Sequence, residues 1–115
     1  MPSADRTLLA VNHVRAGREH EFEEWLRSVL VPAARAHQPH LEGRWHVLRS
    51  EEPDDRGTAF AFLFDGGTDD DWDLRALLEK ALGTQGADEA LSRMGELLVQ
   101  DQYGWWLSPV DLGGA

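Results

Sequence analysis

The sequence predicts one α+β domain in which a four-stranded antiparallel sheet carries helices on one face. Four segments alternate apolar and polar residues or run apolar, as strands do, and the segments between them repeat apolar residues at helical spacing. Along the 115 residues the order is βαββα(α)β, which is the order of a ferredoxin-like unit. We expect the domain to occupy residues 1–110, with residues 111–115 as a loose tail.

The first strand is predicted over residues 7–14, where alternation places Asn12 on the same face as Ala10 and Val14. A helix follows, because apolar residues recur there three and four positions apart. These residues are Phe22, Trp25, Leu26, Val29, Leu30 and Ala33. Pro32 lacks a backbone N–H and crowds the preceding turn, so it should kink or end this helix.

Two further strands are predicted over residues 44–50 and 58–65, joined by the polar loop 51–57 with its proline and glycine. The second of these strands is apolar on both faces, unlike a strand with one face in water. The predicted helices cover only one face of the sheet, so the other face needs a cover. A second copy of the sheet would supply it, and the sequence therefore predicts a homodimer, a dimeric α+β barrel.

The second half of the chain is predicted to hold two helices and one strand. Thr68, followed by three aspartates, is placed to cap the first of these helices. Gly83 separates it from a further helix predicted over residues 87–98. The last strand is predicted over residues 102–108, where a proline follows it.

The composition disfavours several classes of partner and cofactor. With 21 acidic and 11 basic residues the net charge is −10, which argues against binding to nucleic acid or to an anionic membrane. The absence of cysteine excludes disulfides and cysteine-ligated metals. No apolar run reaches the length of a membrane span and no secretory signal is visible, so a cytoplasmic protein is the expectation.

Residues 11–25, together with Pro32 and the segment 39–44, carry a family pattern. A strand leads to a helix start with glycine and then phenylalanine, and Trp25 is followed by a proline seven residues later. The pattern resembles the dimeric α+β barrel superfamily, and within it the antibiotic-biosynthesis-monooxygenase and ethyl-tert-butyl-ether-degradation-type families. The resemblance covers the first half of the chain, and the second half agrees in element order.

The resemblance implies chemistry on a small molecule without a cofactor, because members include cofactor-independent monooxygenases, polyketide cyclases and lactone isomerases. It also implies a cavity between the sheet and the helices or the dimer partner. Many relatives carry a histidine two residues before the proline, where this chain has Leu30. Haem-degrading members bind iron through a histidine in the second half, and here no histidine follows His46.

Three residues are candidates for catalysis. A buried strand amide such as that of Asn12 is either tied to the backbone or aimed at a ligand, and the resemblance implies a position at the pocket. His46, within a predicted strand, has a side chain that can act as a general base. Arg44, in phase with it, can hold a developing anion. The alternative is that both residues face solvent on an edge strand.

Aromatic residues are candidates for the walls of a substrate pocket, namely Trp72, Tyr103 and Trp105. Packing in a core or in a dimer interface is the commoner role of such residues and stays open as the alternative. His37 and His40 stand three residues apart, but the intervening proline keeps them off a common helix face. We therefore expect no metal site.

Two functions of different class follow from these candidates. The first is a cofactor-independent monooxygenase, cyclase or isomerase of specialised metabolism, acting on an aromatic or polyketide-like molecule. In it Asn12 and His46 would position and deprotonate the substrate while Arg44 holds the anion. The second is a non-catalytic ligand-binding or partner protein of the same fold, which Leu30 favours. The acidic residues concentrate outside the predicted strands. We therefore expect the ligand to be small and largely apolar, whether the protein is an enzyme or a binding protein.

Overall fold

Four strands and three helices make up the fold in the computed structural model, which describes residues 6–113 except for the side chains of residues 100 and 101. The strands are β1 (Thr7–Val14), β2 (Trp45–Arg49), β3 (Thr58–Asp65) and β4 (Leu98–Leu107). The helices are α1 (Glu19–Trp25), α2 (Val31–His37) and α3 (Leu74–Leu97). None of the helices described is both long and apolar enough to cross a bilayer.

The strands form one antiparallel sheet in the order β2-β3-β1-β4. Its register places Asn12 of β1 between Phe60 of β3 and Gln102 of β4. Residues directly opposite one another on antiparallel strands share a face, so these three lie on the same side of the sheet. The element order and the sheet order confirm the predicted ferredoxin-like α+β fold.

The helix predicted around Phe22 and Trp25 continues past Pro32. A π-helical turn over Leu26–Leu30 joins α1 to α2, and the N–H of Val31 donates to the carbonyl of Leu26. Pro32 stands in the first turn of α2, where its missing N–H and fixed φ are tolerated. The irregularity predicted at this proline is therefore a wider turn within a continuing helix.

Helix α3 begins later than predicted and contains a break. Asp73, and not Thr68, caps it: the Asp73 Oδ1 accepts the N–H of Ala76 at 3.1 Å. Thr68 closes a separate turn in which its own N–H donates to the Asp71 carboxylate at 2.9 Å. Gly83 interrupts the helix with φ 78° and ψ 172°, which gives the predicted two helical segments.

The boundary between α3 and β4 differs from the prediction. The helix ends at Leu97 and the strand begins at Leu98, four residues before the predicted start at residue 102. Both leucines are buried, so an apolar pattern alone fits a helix or a strand here. The pairing of Leu98 with Val14 on β1 decides the conformation, since the sheet satisfies the backbone groups of this segment.

The hydrophobic core lies between the sheet and the helices. Its most buried members come from both layers: Val14, Phe22, Phe60, Leu78, Ala87 and Leu97. The opposite face of the sheet is apolar as well, but large side chains such as Leu48 and Trp105 are exposed there. The helices pack against the first face, and these side chains of the second face stay exposed in the described chain.

Candidate functional site

A cleft of about 440 Å³ lies between the sheet and the helices. Ala10 and Asn12 of β1 form its floor together with Phe62 of β3, and residues of all three helices border it. This volume falls in the range of small-molecule sites. Six aromatic side chains contribute to the lining: Phe22, Trp25, Trp45, Phe62, Phe64 and Trp72.

Asn12 brings a polar group to this apolar floor. Its neighbours across the sheet, Phe60 and Gln102, place its side chain on the helix-covered face. Among the described residues it makes no side-chain hydrogen bond, although it borders the cleft. A carboxamide supplies both donors and an acceptor, so Asn12 can orient a hydroxyl or a carbonyl group of a bound molecule.

Trp72 is held at one end of the cleft by the loop that precedes α3. Its Nε1–H donates to the carbonyl of Gly66 at 2.7 Å, and its ring lies 4.8 Å from that of Phe64. Gly67 has φ +75°, and a Cβ there would lie 2.9 Å from the Trp72 Nε1. The turn therefore needs glycine, both for its backbone conformation and for the space that the indole occupies.

Trp25 and Phe22 form the opposite wall. Their rings are parallel at 6.1 Å, and the Trp25 Nε1–H donates to the carbonyl of Ala90 on α3 at 3.1 Å. The hydrogen bond satisfies the polar atom of a buried indole. The tryptophan that marks the family pattern thus ties α1 to α3 and borders the cleft.

Three polar residues of the lining, Gln38, Asp71 and Asp73, are exposed at least in part, and we call this side of the lining the mouth of the cleft. The Gln38 Nε2 donates to the main-chain carbonyl of Asp71 at 2.7 Å, which joins the end of α2 to the loop before α3. Asp71 and Asp73 both border the cleft. The sequence predicts a capping role for Asp71 together with Asp69 and Asp70, whereas the cap of α3 is Asp73, and neither Asp71 nor Asp73 is predicted at a cavity.

Of the three residues predicted to act together in catalysis, only Asn12 borders this cleft. The neighbours of His46 on β2, Trp45 and Val47, pair with Phe64 and Phe62 on the cleft side, so His46 points to the opposite face. Its side chain is 58% exposed. Strand alternation therefore contradicts a shared site for Asn12 and His46 within the subunit.

Arg44 precedes β2 and is not among the residues that line the cleft. Its main-chain carbonyl accepts the N–H of Asp65 at 2.7 Å, which extends the pairing of β2 with β3. The predicted role of Arg44 in holding an anion beside Asn12 has no geometric basis in the subunit.

The predicted wall residues divide between the two faces. Trp72 lines the cleft with its side chain. Tyr103 and Trp105 pair with Val11 and Leu9, so strand alternation puts their rings on the other face, where they stack at 6.1 Å. Tyr103 thus borders the cleft through its main chain, and Trp105 does not border it.

No metal-binding cluster occurs in residues 6–113 as described: no three His, Asp or Glu side chains converge there.

Glu19, at the start of α1, lies outside the cleft. Hydrogen bonds from its own N–H, from the N–H of Gly17 and from the hydroxyl of Thr58 lower the pKa of the Glu19 carboxyl below its ordinary 4.5. Glu19 thereby links the start of α1 to the start of β3.

No family model matches the chain, and no curated protein matches it. Among solved structures, a NIPSNAP family protein from Agrobacterium tumefaciens is 17% identical, with a TM-score of 0.57 over 93% of this chain and 94% of that one. A protein assigned as an antibiotic biosynthesis monooxygenase, from Nitrosomonas europaea, is 14% identical, with a TM-score of 0.53 over 92% and 99%. Likeness at this identity shows the fold, and so agrees with the superfamily resemblance at that level.

Proposed function

We propose that the cleft between the sheet and the helices binds a small, largely apolar, aromatic molecule. The observation that carries the proposal is a cavity of about 440 Å³ with six aromatic side chains around two neighbouring carboxamides, Asn12 and Gln102, which have no side-chain hydrogen bond among the described residues. Flat aromatic walls favour a flat ligand through stacked and edge contacts. The carboxamides on the floor then fix the orientation of the ligand.

A cofactor-independent enzyme is the second candidate, as a monooxygenase, cyclase or isomerase acting on an aromatic or polyketide-like substrate. It is supported by Asn12, whose amide can hold the oxygen of a phenol or enol, and by the fold shared with the Nitrosomonas protein. His46 lies on the other face of the sheet and does not border the cleft, so this proposal does not use it as the base. The carboxylates that border the cleft, Asp71 and Asp73, are the groups able to take a proton there.

Binding of naphthylmethanol, followed by calorimetry, tests the first candidate. We expect binding by the unmodified protein and a roughly tenfold weaker affinity for Asn12→Leu, which keeps the branched shape at Cγ but removes the hydrogen bond. His46→Leu is the matched control, because it changes a polar residue on the opposite face. Equal affinities for all three proteins would contradict the role of Asn12, and absent binding would contradict the function.

Oxygen uptake with a tricyclic phenol of the polyketide type separates the enzyme from the binding protein. For a monooxygenase we expect uptake that Asn12→Leu abolishes and His46→Leu leaves unchanged. Conversion without oxygen uptake, followed by mass spectrometry, identifies a cyclase or an isomerase. Tight binding with no conversion establishes the non-catalytic alternative.

We also propose that the open face of the sheet packs against a second copy of the chain. Three large apolar side chains are exposed on this face: Leu48, Trp105 and Leu107. Exposed apolar surface of this kind on a soluble domain is typical of an interface. Sedimentation velocity tests the proposal, and a monomer at all concentrations would contradict it. The single domain over residues 1–110 is part of the same proposal, with each copy contributing one sheet.

A further inference from the structure

The cleft combines aromatic walls with carboxylates at its mouth and has no basic side chain among its lining residues. We infer that it selects uncharged and cationic aromatic molecules and rejects anionic ones. The inference rests on the proposed role of the cleft in binding a small molecule, and it adds the charge class of that molecule.

Every basic side chain of the sequence lies in the part of the chain that the structure describes. The 11 lysines and arginines and the five histidines all fall between Arg6 and Arg93. None of them lines the cleft. His40 approaches the mouth, with its Nε2 at 3.8 Å from the Asp71 Oδ1, but its side chain is exposed. Arg35 borders a smaller cavity, which shares Ala34, Gln38 and Trp45 with the cleft, and it is not among the residues that line the cleft itself.

The two carboxylates at the mouth differ in how they are compensated. Asp71 accepts hydrogen bonds from the N–H and the hydroxyl of Thr68 and lies near His40. Asp73 accepts one N–H at the start of α3 and forms no ion pair with a described residue. Asp73 also interacts with the charge of Arg75, and it is the more exposed of the two carboxylates.

Simple electrostatics gives the direction of the selectivity. A carboxylate or phosphate ligand would leave water and come close to two like charges, and no guanidinium or ammonium group would replace its hydration. An ammonium group on an aromatic ligand gains from the same carboxylates and from the faces of the tryptophans. The carboxamide of Asn12 has donors and an acceptor, so it does not oppose this preference.

Three probes with one ring system and different charge test the inference: naphthylmethanol, naphthylmethylamine and naphthoate. At low, constant ionic strength we expect the amine to bind about tenfold or more tightly than the acid, with the alcohol between them. Calorimetry gives the three dissociation constants. Competition against the alcohol shows that all three occupy the same cleft.

A pair of variants shows whether the cleft or the net charge of −10 sets the preference. Asp73→Asn removes the charge at the mouth and keeps a good helix cap, so the fold is preserved. We expect it to lower the amine-to-acid affinity ratio about threefold. Glu52→Gln is the matched control: it changes the net charge equally in an exposed loop away from the cleft, and it should leave the ratio unchanged.

The outcomes separate the inference from the proposed function. If naphthylmethanol does not bind, the proposed function fails and the inference fails with it. If naphthylmethanol binds and naphthoate binds as tightly as the amine, only the inference is overturned. It is also overturned if Asp73→Asn and Glu52→Gln change the ratio equally, because the selectivity then belongs to the whole molecule.

Discussion

The two faces of the sheet are both apolar, but they are covered differently. On the helix-covered face Phe60 and Phe62 are 2% and 7% exposed, whereas on the other face Leu48 and Trp105 are 57% and 52% exposed. The same strands supply both sets of residues by alternation. One face thus completes its packing within the subunit and leaves a cleft, while the other carries the features of a surface that packs against another molecule.

The largest expected effect concerns the covered face. Phe22 is buried and its ring lies 4.9 Å from that of Phe60, so Phe22→Ala should lower the free energy of unfolding by about 3–5 kcal/mol. Urea denaturation measures the loss. Leu48→Ala on the open face, compared at a concentration where the protein is monomeric, should cost less than about 1 kcal/mol. Equal losses would mean that the two faces do not differ in packing.

The next effect concerns the open face. Trp105→Glu places a charge within its apolar surface, on the edge strand β4, and we expect self-association to weaken by about a hundredfold or more. Sedimentation equilibrium measures the dissociation constant. Leu82→Glu, on an exposed position of α3, is the control that should leave it unchanged. Unaltered association of Trp105→Glu would remove the open face from the interface.

A smaller effect tests the wall of the cleft. Gly67→Ala introduces both an unfavourable φ and a clash with Trp72, and should cost about 1–2 kcal/mol of stability and weaken binding of naphthylmethanol. Gly17→Ala is the control, since Gly17 has φ +84° but open space around a Cβ. Its stability loss should be smaller, and its ligand affinity should be normal. The difference between the two variants isolates the contact with Trp72.

The smallest effect is a pH dependence at the start of α1. The pKa of Glu19 is lowered in the folded state, so its contribution is present above pH 4.5 and is lost as the pH falls through the folded value. Because the carboxylate is partly exposed, we expect Glu19→Gln to cost about 0.5 kcal/mol at neutral pH and nothing at acid pH. Urea denaturation midpoints of both proteins, measured from neutral to acid pH, check this pH dependence. A cost that stays constant with pH would contradict the assignment.

The fold could be predicted from the sequence because its signals are local. Alternation over Thr7–Val14 and helical spacing around Phe22 and Trp25 gave the elements, and their order restricts the topology. The errors lie where two local signals compete. Thr68 and Asp73 are both good caps, and the helix starts at the later one. The leucines at the end of α3 suit a helix or a strand, and pairing with β1 decides.

The candidate site could be predicted only in part. Asn12 and Trp72, predicted from a polar side chain in a buried strand and from the aromatic character of the tryptophans, both border the cleft, while their roles stay predictions. His46 and Arg44 were grouped with Asn12 although nothing in the sequence related the faces of β1 and β2. That relation depends on the register of both strands against β3, which is a property of the assembled sheet.

Leu30 lies in the π-helical turn and borders the cleft, at the position where the resembling families often have histidine. The helix that carries this position is already shaped by the turn and by Pro32. In evolutionary terms, an apolar cleft and one that carries an imidazole differ here by the replacement of one residue, and the backbone for that replacement is already in place.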